Sequence, residues 1–217
     1  MKTILVTSQK GGSGKTMLAA HLAVEAEREG SAPVWIIDTD RQATLTRWHD
    51  RREAETPQRG EVRPERLMTG LATLAGQGAA LCFIDTAPTI SDQTAALIDL
   101  ADLVVIPVRP SPSDLWAVTE TVQLVKDAGK PFLFVITQAK PQATITAQAI
   151  AALSEHGRVA KSFISDRVAY AAAMTGGSTA PEVAPRGPAA AEVSALWNEL
   201  KPCIHEKMKS AKKVANG

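Results

Sequence analysis

The chain has 217 residues, of which 45% are hydrophobic and 22% charged, and its formal net charge is +1. That length suits one α/β domain with a large core, and the near-neutral balance excludes a global field that would draw the molecule onto nucleic acid or membrane, so any such binding must come from a local patch. Cys82 and Cys203 lack the CxxC spacing of a metal site and read as reduced thiols, and no apolar stretch approaches the ~18 residues of a membrane-spanning helix.

In chain order, residues 3–7 form a first apolar run that reads as a strand, with no signal peptide before it, so a cytoplasmic location is expected. A Gly-rich segment, Lys10-Gly11-Gly12-Ser13-Gly14-Lys15-Thr16, follows. Residues 17–29 then carry Leu18, Leu22 and Ala26 at helical spacing, and Gly30 ends the helix. Further apolar runs lie at 34–38, 81–85, 103–108 and 132–137, with a weaker one at 161–164. They are nearly continuous rather than alternating, the pattern of strands buried on both faces. Residues 91–101, 113–128, 144–156 and 189–208 read as helices. The alternation predicts an α/β fold with a single doubly wound, mainly parallel sheet flanked by helices. Residues 51–66 and 176–188 are rich in Pro, Gly and polar residues and read as irregular surface segments. One domain is expected over 1–209, with a small polar, flexible tail over 210–217.

A strand, a Gly-rich turn and a helix are the context a phosphate-binding loop needs. Glycines let backbone N–H groups turn inward at phosphate oxygens, and the helix N-terminus adds its positive dipole end. Residues Lys10 to Met17 are therefore the candidate nucleotide cradle: Lys10, Gly11, Gly12, Ser13, Gly14, Lys15, Thr16 and Met17. Lys15 supplies a charge to the outer phosphates, and Thr16 supplies a hydroxyl to Mg²⁺. The ordinary pattern has glycine where this chain has Gln9, and Lys10 places a second cation beside the phosphates.

Two further strands end in carboxylates. Trp35-Ile36-Ile37-Asp38-Thr39-Asp40 offers two, and Leu81-Cys82-Phe83-Ile84-Asp85 offers one. Strand C-termini in such sheets face the ligand crevice. Asp38 and Asp85 are candidate Mg²⁺ positions with Thr16, and Asp40 is a candidate to orient the attacking water. The plainer reading of each is a helix cap or a turn.

The loop KGGSGKT resembles the deviant Walker A ATPases, which include ParA and MinD. The resemblance spans most of the chain, from Lys2 to about Leu200. Asp38-Thr39-Asp40-Arg41-Gln42 resembles the family's DxDPQ, with Arg41 in place of proline, and Thr86-Ala87-Pro88 resembles its switch II. Ile106 to Asp114 looks like its proline-rich turn, Phe134-Val135-Ile136-Thr137 like the strand leading to its base pocket, and Arg167-Val168-Ala169-Tyr170 with Gly176-Gly177 also has a counterpart. The subgroup it looks most like is the small ParA type without an N-terminal DNA-reading domain.

The resemblance implies an ATPase using ATP and Mg²⁺. Its ATP-bound sandwich homodimer would bind DNA without sequence preference. An adaptor protein, ParB-like or equivalent, would stimulate slow hydrolysis and release it, positioning a plasmid, a chromosome region or a protein cluster on the nucleoid. Lys10 would reach across the dimer to the partner's nucleotide; Lys15 and Asp40 complete the implied catalytic set. Candidate DNA contacts are Arg158, Lys161, Arg167, Arg186, Lys201, Lys207, Lys209, Lys212 and Lys213, each of which alone reads as a solvated side chain. MinD-like membrane binding is an alternative. Trp197, Leu200, Ile204 and Met208 form a stripe, but Pro202 interrupts it and core packing is the safer reading. A metabolic enzyme of the dethiobiotin synthetase type is a further alternative, disfavoured because such enzymes usually lack the lysine at the position of Lys10. His21, His49, His156 and His205 show no metal or catalytic spacing, and Trp48 reads as core.

Overall fold

The computed structural model describes residues 1–89, 91–140 and 142–204. Six strands form one sheet: β1 (Lys2–Val6), β2 (Val34–Asp38), β3 (Gln58–Arg59), β4 (Leu81–Asp85), β5 (Leu103–Val108) and β6 (Phe132–Ile136). Their order is β3-β2-β4-β1-β5-β6, and every pairing is parallel. The register sets Val6 beside Asp85, and Asp38 beside Asp85 on the other side, so the ends of three strands meet at one edge.

Helices cover both faces, as continuous apolar strands require. On one face lie α1 (Lys15–Arg28), α2 (Thr44–His49), α7 (Val168–Thr175), α8 (Ala180–Val183) and α9 (Pro188–Cys203). On the other lie α3 (Leu67–Gly76), α4 (Asp92–Leu100), α5 (Pro112–Asp127) and α6 (Thr144–Ser154). α1 is buried around its circumference, with Leu18, Ala19, Ala20, Leu22, Ala23 and Ala26 fully enclosed. Trp197, Leu200 and Ile204 of the α9 stripe are buried in the same cluster, which confirms core packing for these three. Trp48 is buried as well, its indole N–H donating to the Ser178 carbonyl at 3.0 Å under the Arg52 guanidinium. Cys82 is enclosed in the sheet, and burial pushes its thiol up to about 12.

Three expectations need correction. Residues 161–164 do not form a strand, and only isolated bridges flank them, Phe134 with Val159 and Ala139 with Ser165. The backbone N–H groups of Lys161 and Ser162 are taken by the Glu199 carboxylate at 2.8 and 2.7 Å, so they are unavailable to a ladder. The segment 51–66 is not wholly irregular, because it contains β3 and a 3₁₀ turn, Pro64–Arg66. The segment 176–188 contains α8, held by a capping box in which Glu182 accepts from the Thr179 backbone N–H at 2.7 Å. The expected tail at 210–217, and Lys207, Met208, Lys209, Lys212, Lys213 and His205, lie outside the described residues. No helix among the described residues is long and apolar enough to cross a membrane.

Candidate active site

The loop between β1 and α1 turns through Gly12 at φ 74° and Gly14 at φ 89°, a left-handed region open to glycine at little cost. Residues beyond β6 clamp it from outside. Thr137 Oγ1 donates to the Ser13 carbonyl at 2.8 Å, and Gln138 Nε2 donates to the Gly12 carbonyl at 2.7 Å. With those carbonyls held outward, the N–H groups of the turn face the other way. The first N–H groups of α1, at Lys15, Thr16 and Met17, have no partner within the helix. Met17 itself is half-buried, its side chain packed against the core.

Lys15 is 7% exposed, and its Nζ donates to the Lys10 carbonyl at 3.1 Å. Burial lowers its pKa, and the charges of Asp85 and Asp40 oppose that shift. Thr16 Oγ1 donates to Asp85 Oδ2 at 2.6 Å. Asp85 is 1% exposed, and its carboxyl is pushed up to about 7, chiefly by burial, with the charges of Asp38 and Asp40 adding to the shift. Its other oxygen, Oδ1, and Ser13 Oγ are buried without a hydrogen-bond partner. Buried polar atoms are normally paired, so two orphans beside one loop mark a place shaped for something polar.

Asp38 accepts the Asp40 N–H on Oδ1 at 3.0 Å and the Thr46 N–H on Oδ2 at 2.9 Å. Its carboxylate therefore caps the first turn of α2 while it faces Asp85. Asp40 accepts the Gln42 N–H at 2.9 Å, which shapes the turn bearing exposed Arg41. Lys10, Lys15, Thr16, Asp38, Asp40 and Asp85 thus gather at one edge of the sheet, beyond the strand ends.

The residues fit a magnesium nucleotide. Positive-φ glycines, orphaned Ser13 Oγ and Asp85 Oδ1, and a buried lysine suit phosphate oxygens and a hydrated cation. Among the described residues no group of three or more His, Cys, Asp or Glu could hold a metal alone. Mg²⁺ commonly keeps several waters and shares its sphere with substrate phosphates. Thr16, Asp85 and Asp38 are the residues that could hold it.

The sequence reading did not assign roles to Thr137, Gln138 or Arg109, although each follows a parallel strand at the ligand edge. Among the described residues, Arg158 and Arg167 of the candidate DNA contacts lie in different surroundings. Arg167 is committed to Glu192 at 2.8 Å, and Arg158 lines a different cleft, with Lys126 and Lys130. Among the histidines, His21 is wholly buried and accepts the Ala180 N–H at Nε2, 3.0 Å away.

Residues 4–180 match the family described as the CobQ/CobB/MinD/ParA nucleotide binding domain. The chain is similar to the maintenance of carboxysome distribution protein A of Halothiobacillus neapolitanus, 28% identical over 212 residues, covering 92% of this chain and 96% of that protein. It is also similar to protein ParA of Rhizobium radiobacter, 28% identical over 130 residues, covering 58% and 57% of the two chains. Among solved structures, apo McdA of Cyanothece has a TM-score of 0.76 at 20% identity, covering 94% of this chain and 99% of that one. The Pyrococcus horikoshii septum site-determining protein MinD, complexed with Mg-ADP, has a TM-score of 0.75 at 16% identity, covering 92% and 95%. Both structural likenesses are likenesses of fold.

Proposed function

The chain belongs to the CobQ/CobB/MinD/ParA nucleotide-binding family, and from that premise we propose that it is a positioning ATPase driven by ATP and Mg²⁺. The observation that carries this reading is the convergence of two loop lysines, a threonine–aspartate pair and two orphaned buried oxygens at one sheet edge. Lys15 neutralises outer phosphate charge from a buried position. Thr16 and Asp85 orient a divalent cation, which when bound supplies charge neutralisation and Lewis acidity at the phosphates. Asp40 holds the attacking water in line with the terminal phosphate. Lys10 acts across a two-fold interface, so each site is complete only in an ATP-bound sandwich dimer.

In this reading the dimer binds DNA through surface cations without sequence preference. Stimulation by an adaptor protein triggers hydrolysis and release. The similarity to a carboxysome distribution protein runs along 96% of that protein, against 57% for the ParA relative. This favours a protein assembly as the cargo over a plasmid. The buried stripe of α9 weighs against the use of these side chains on a membrane.

A gel-shift series tests the proposal. ATP-loaded protein should retard arbitrary duplex DNA at low salt, ADP-loaded protein should not, and the shift should weaken steeply as salt rises. Absence of any ATP-dependent shift, alongside ATP-dependent binding to anionic liposomes, would replace DNA with membrane as the surface used.

A further inference from the structure

Arg109 is the first residue after β5, and β5 lies directly beside β1, which leads into the phosphate loop. Both strands deliver their following residues to the same edge. A Cβ placed on Gly12 would lie 3.5 Å from Arg109 Nη1, so the guanidinium stands against the backbone of the loop. The rest of its fork is fixed. Nε donates to Asp114 Oδ1 at 2.9 Å, and Nη2 donates to Asp114 Oδ2 at 3.0 Å. Asp114 is 3% exposed and also accepts from Ser111 Oγ at 2.7 Å. Among the described residues, Arg109 Nη1 has no hydrogen-bond partner.

A bidentate arginine–carboxylate pair fixes the plane of the guanidinium as well as its position. Asp114 is thereby a device that aims the unused Nη1 at the loop. Burial works against the charge on Asp114, but the hydrogen bonds from Arg109 and Ser111 outweigh it and hold its carboxyl below the usual range. The pair is therefore ionised and close to net neutral. It brings directed N–H groups to a site that already contains Lys10 and Lys15, without adding a third uncompensated positive charge.

The side of the loop matters. A side chain on Gly14 would meet Met17 and Thr137, whereas one on Gly12 would meet Arg109. Gly12 lies in the turn between Lys10 and Lys15, whose ammonium is held on the Lys10 carbonyl, and the lysine of such a loop is the group that reaches the outer phosphates. Helix capping does not require Nη1, because the Ser111 hydroxyl already accepts the Asp114 N–H.

We infer that Arg109 is a further nucleotide-binding residue, whose Nη1 donates to the terminal phosphate of a bound nucleoside triphosphate and so distinguishes it from the diphosphate. This rests on the nucleotide-binding reading above. The test is calorimetric titration of the whole chain with ATP and, separately, ADP in the presence of Mg²⁺, for wild type, Arg109→Gln and Arg109→Lys. Arg109→Gln should lose about tenfold or more in ATP affinity, as expected for one lost charge-assisted hydrogen bond, with ADP affinity unchanged; its melting temperature should fall, because the buried Asp114 carboxylate loses its bidentate partner. Arg109→Lys keeps the charge and can still pair with Asp114, but it has no second arm to reach the loop, so it should show the same selective loss. If Arg109→Gln does not fold, the lysine variant alone decides. An ATP-to-ADP affinity ratio equal to that of wild type, whether both affinities hold or fall together, overturns the inference and returns Arg109 to a structural partner of Asp114. Wild-type protein that binds neither nucleotide would instead overturn the underlying reading, and this one with it.

Discussion

Lys15 Nζ donates to the main-chain carbonyl of Lys10 at 3.1 Å, so the loop's two lysines are joined through the side chain of one and the backbone of the other. The Lys10 ammonium itself has no hydrogen bond or ion pair among the described residues. The two cations therefore have separable roles, because truncating the Lys10 side chain leaves the carbonyl that holds Lys15.

Lys10→Ala is predicted to bind ATP with nearly wild-type affinity while ATP-dependent dimerisation and hydrolysis both fall. Lys15→Ala should abolish ATP binding by calorimetry. Light scattering with ATP reads the first effect. Mixing Lys10→Ala with Asp40→Ala subunits tests action in trans, because one site of the heterodimer has an intact Asp40 and an incoming Lys10. Normal ATP-driven dimers from Lys10→Ala alone would reduce Lys10 to a solvated side chain.

Asp40→Ala should separate binding from turnover. The carboxylate shapes its own turn through the Gln42 N–H but makes no hydrogen bond to the loop. Nucleotide affinity should hold within about threefold, the scale of a lost local bond, and ATP-bound dimers should accumulate. Hydrolysis at the wild-type rate in the presence of a stimulating partner would remove Asp40 from the chemistry.

Asp85→Asn is predicted to stabilise the nucleotide-free protein and to disable it. The folded carboxyl sits at about 7, above its ordinary 3.8. Ionisation is thus penalised in the fold, and stability falls as pH rises from the unfolded value through about 7. Removing the charge should raise stability at pH 8 by on the order of 2 kcal/mol in urea titrations, while Mg²⁺-dependent ATP binding and hydrolysis decline. A less stable Asp85→Asn protein at pH 8 would contradict this.

His21 should make the protein acid-sensitive. Burial drives its pKa down to about 4, against 6.5 for a free imidazole. The unfolded chain takes the proton first, so stability falls as pH drops from about 6.5 to about 4 and then levels off. Between pH 7.5 and pH 5 this group should remove on the order of 2 kcal/mol. His21→Leu should be weaker at neutral pH, since the Ala180 N–H loses its acceptor, yet show less acid sensitivity than wild type. An equal pH slope in both proteins would refute the assignment.

Long, strongly patterned elements were legible in the sequence. The strands at 34–38, 81–85 and 103–108 needed only their unbroken apolar runs, and the phosphate loop needed only its glycines and lysines. Elements held by tertiary contacts were not. α2 is six residues long, and its first turn is held by the Asp38 carboxylate at the end of β2, which accepts the Thr46 N–H. α3 carries Gly70 in its interior, which argues against a helix locally. In the fold a Cβ there would come within 2.3 Å of Val62, so the glycine is a packing requirement. β3 is two residues on the sheet edge, too short to show a period. The sequence placed Arg109 in a proline-rich turn but gave it no role, because its aim depends on Asp114 five residues away and on a loop nearly one hundred residues earlier.

The enclosure of α1 limits how this molecule can signal. A helix packed on every side cannot slide or tilt without opening the core around it, so the end that meets phosphate is a fixed post. News of what is bound must travel around the rim, through the turn at Asp40 to Gln42 and the turn at Arg109 to Ser111, both of which lie outside the regular elements. Gln9, tied to Glu120 of α5 at 2.7 Å, gives that rim a direct link into a long outer helix. On the proposed function the engine block would stay still, and a docking protein that senses nucleotide state would have only the perimeter to read.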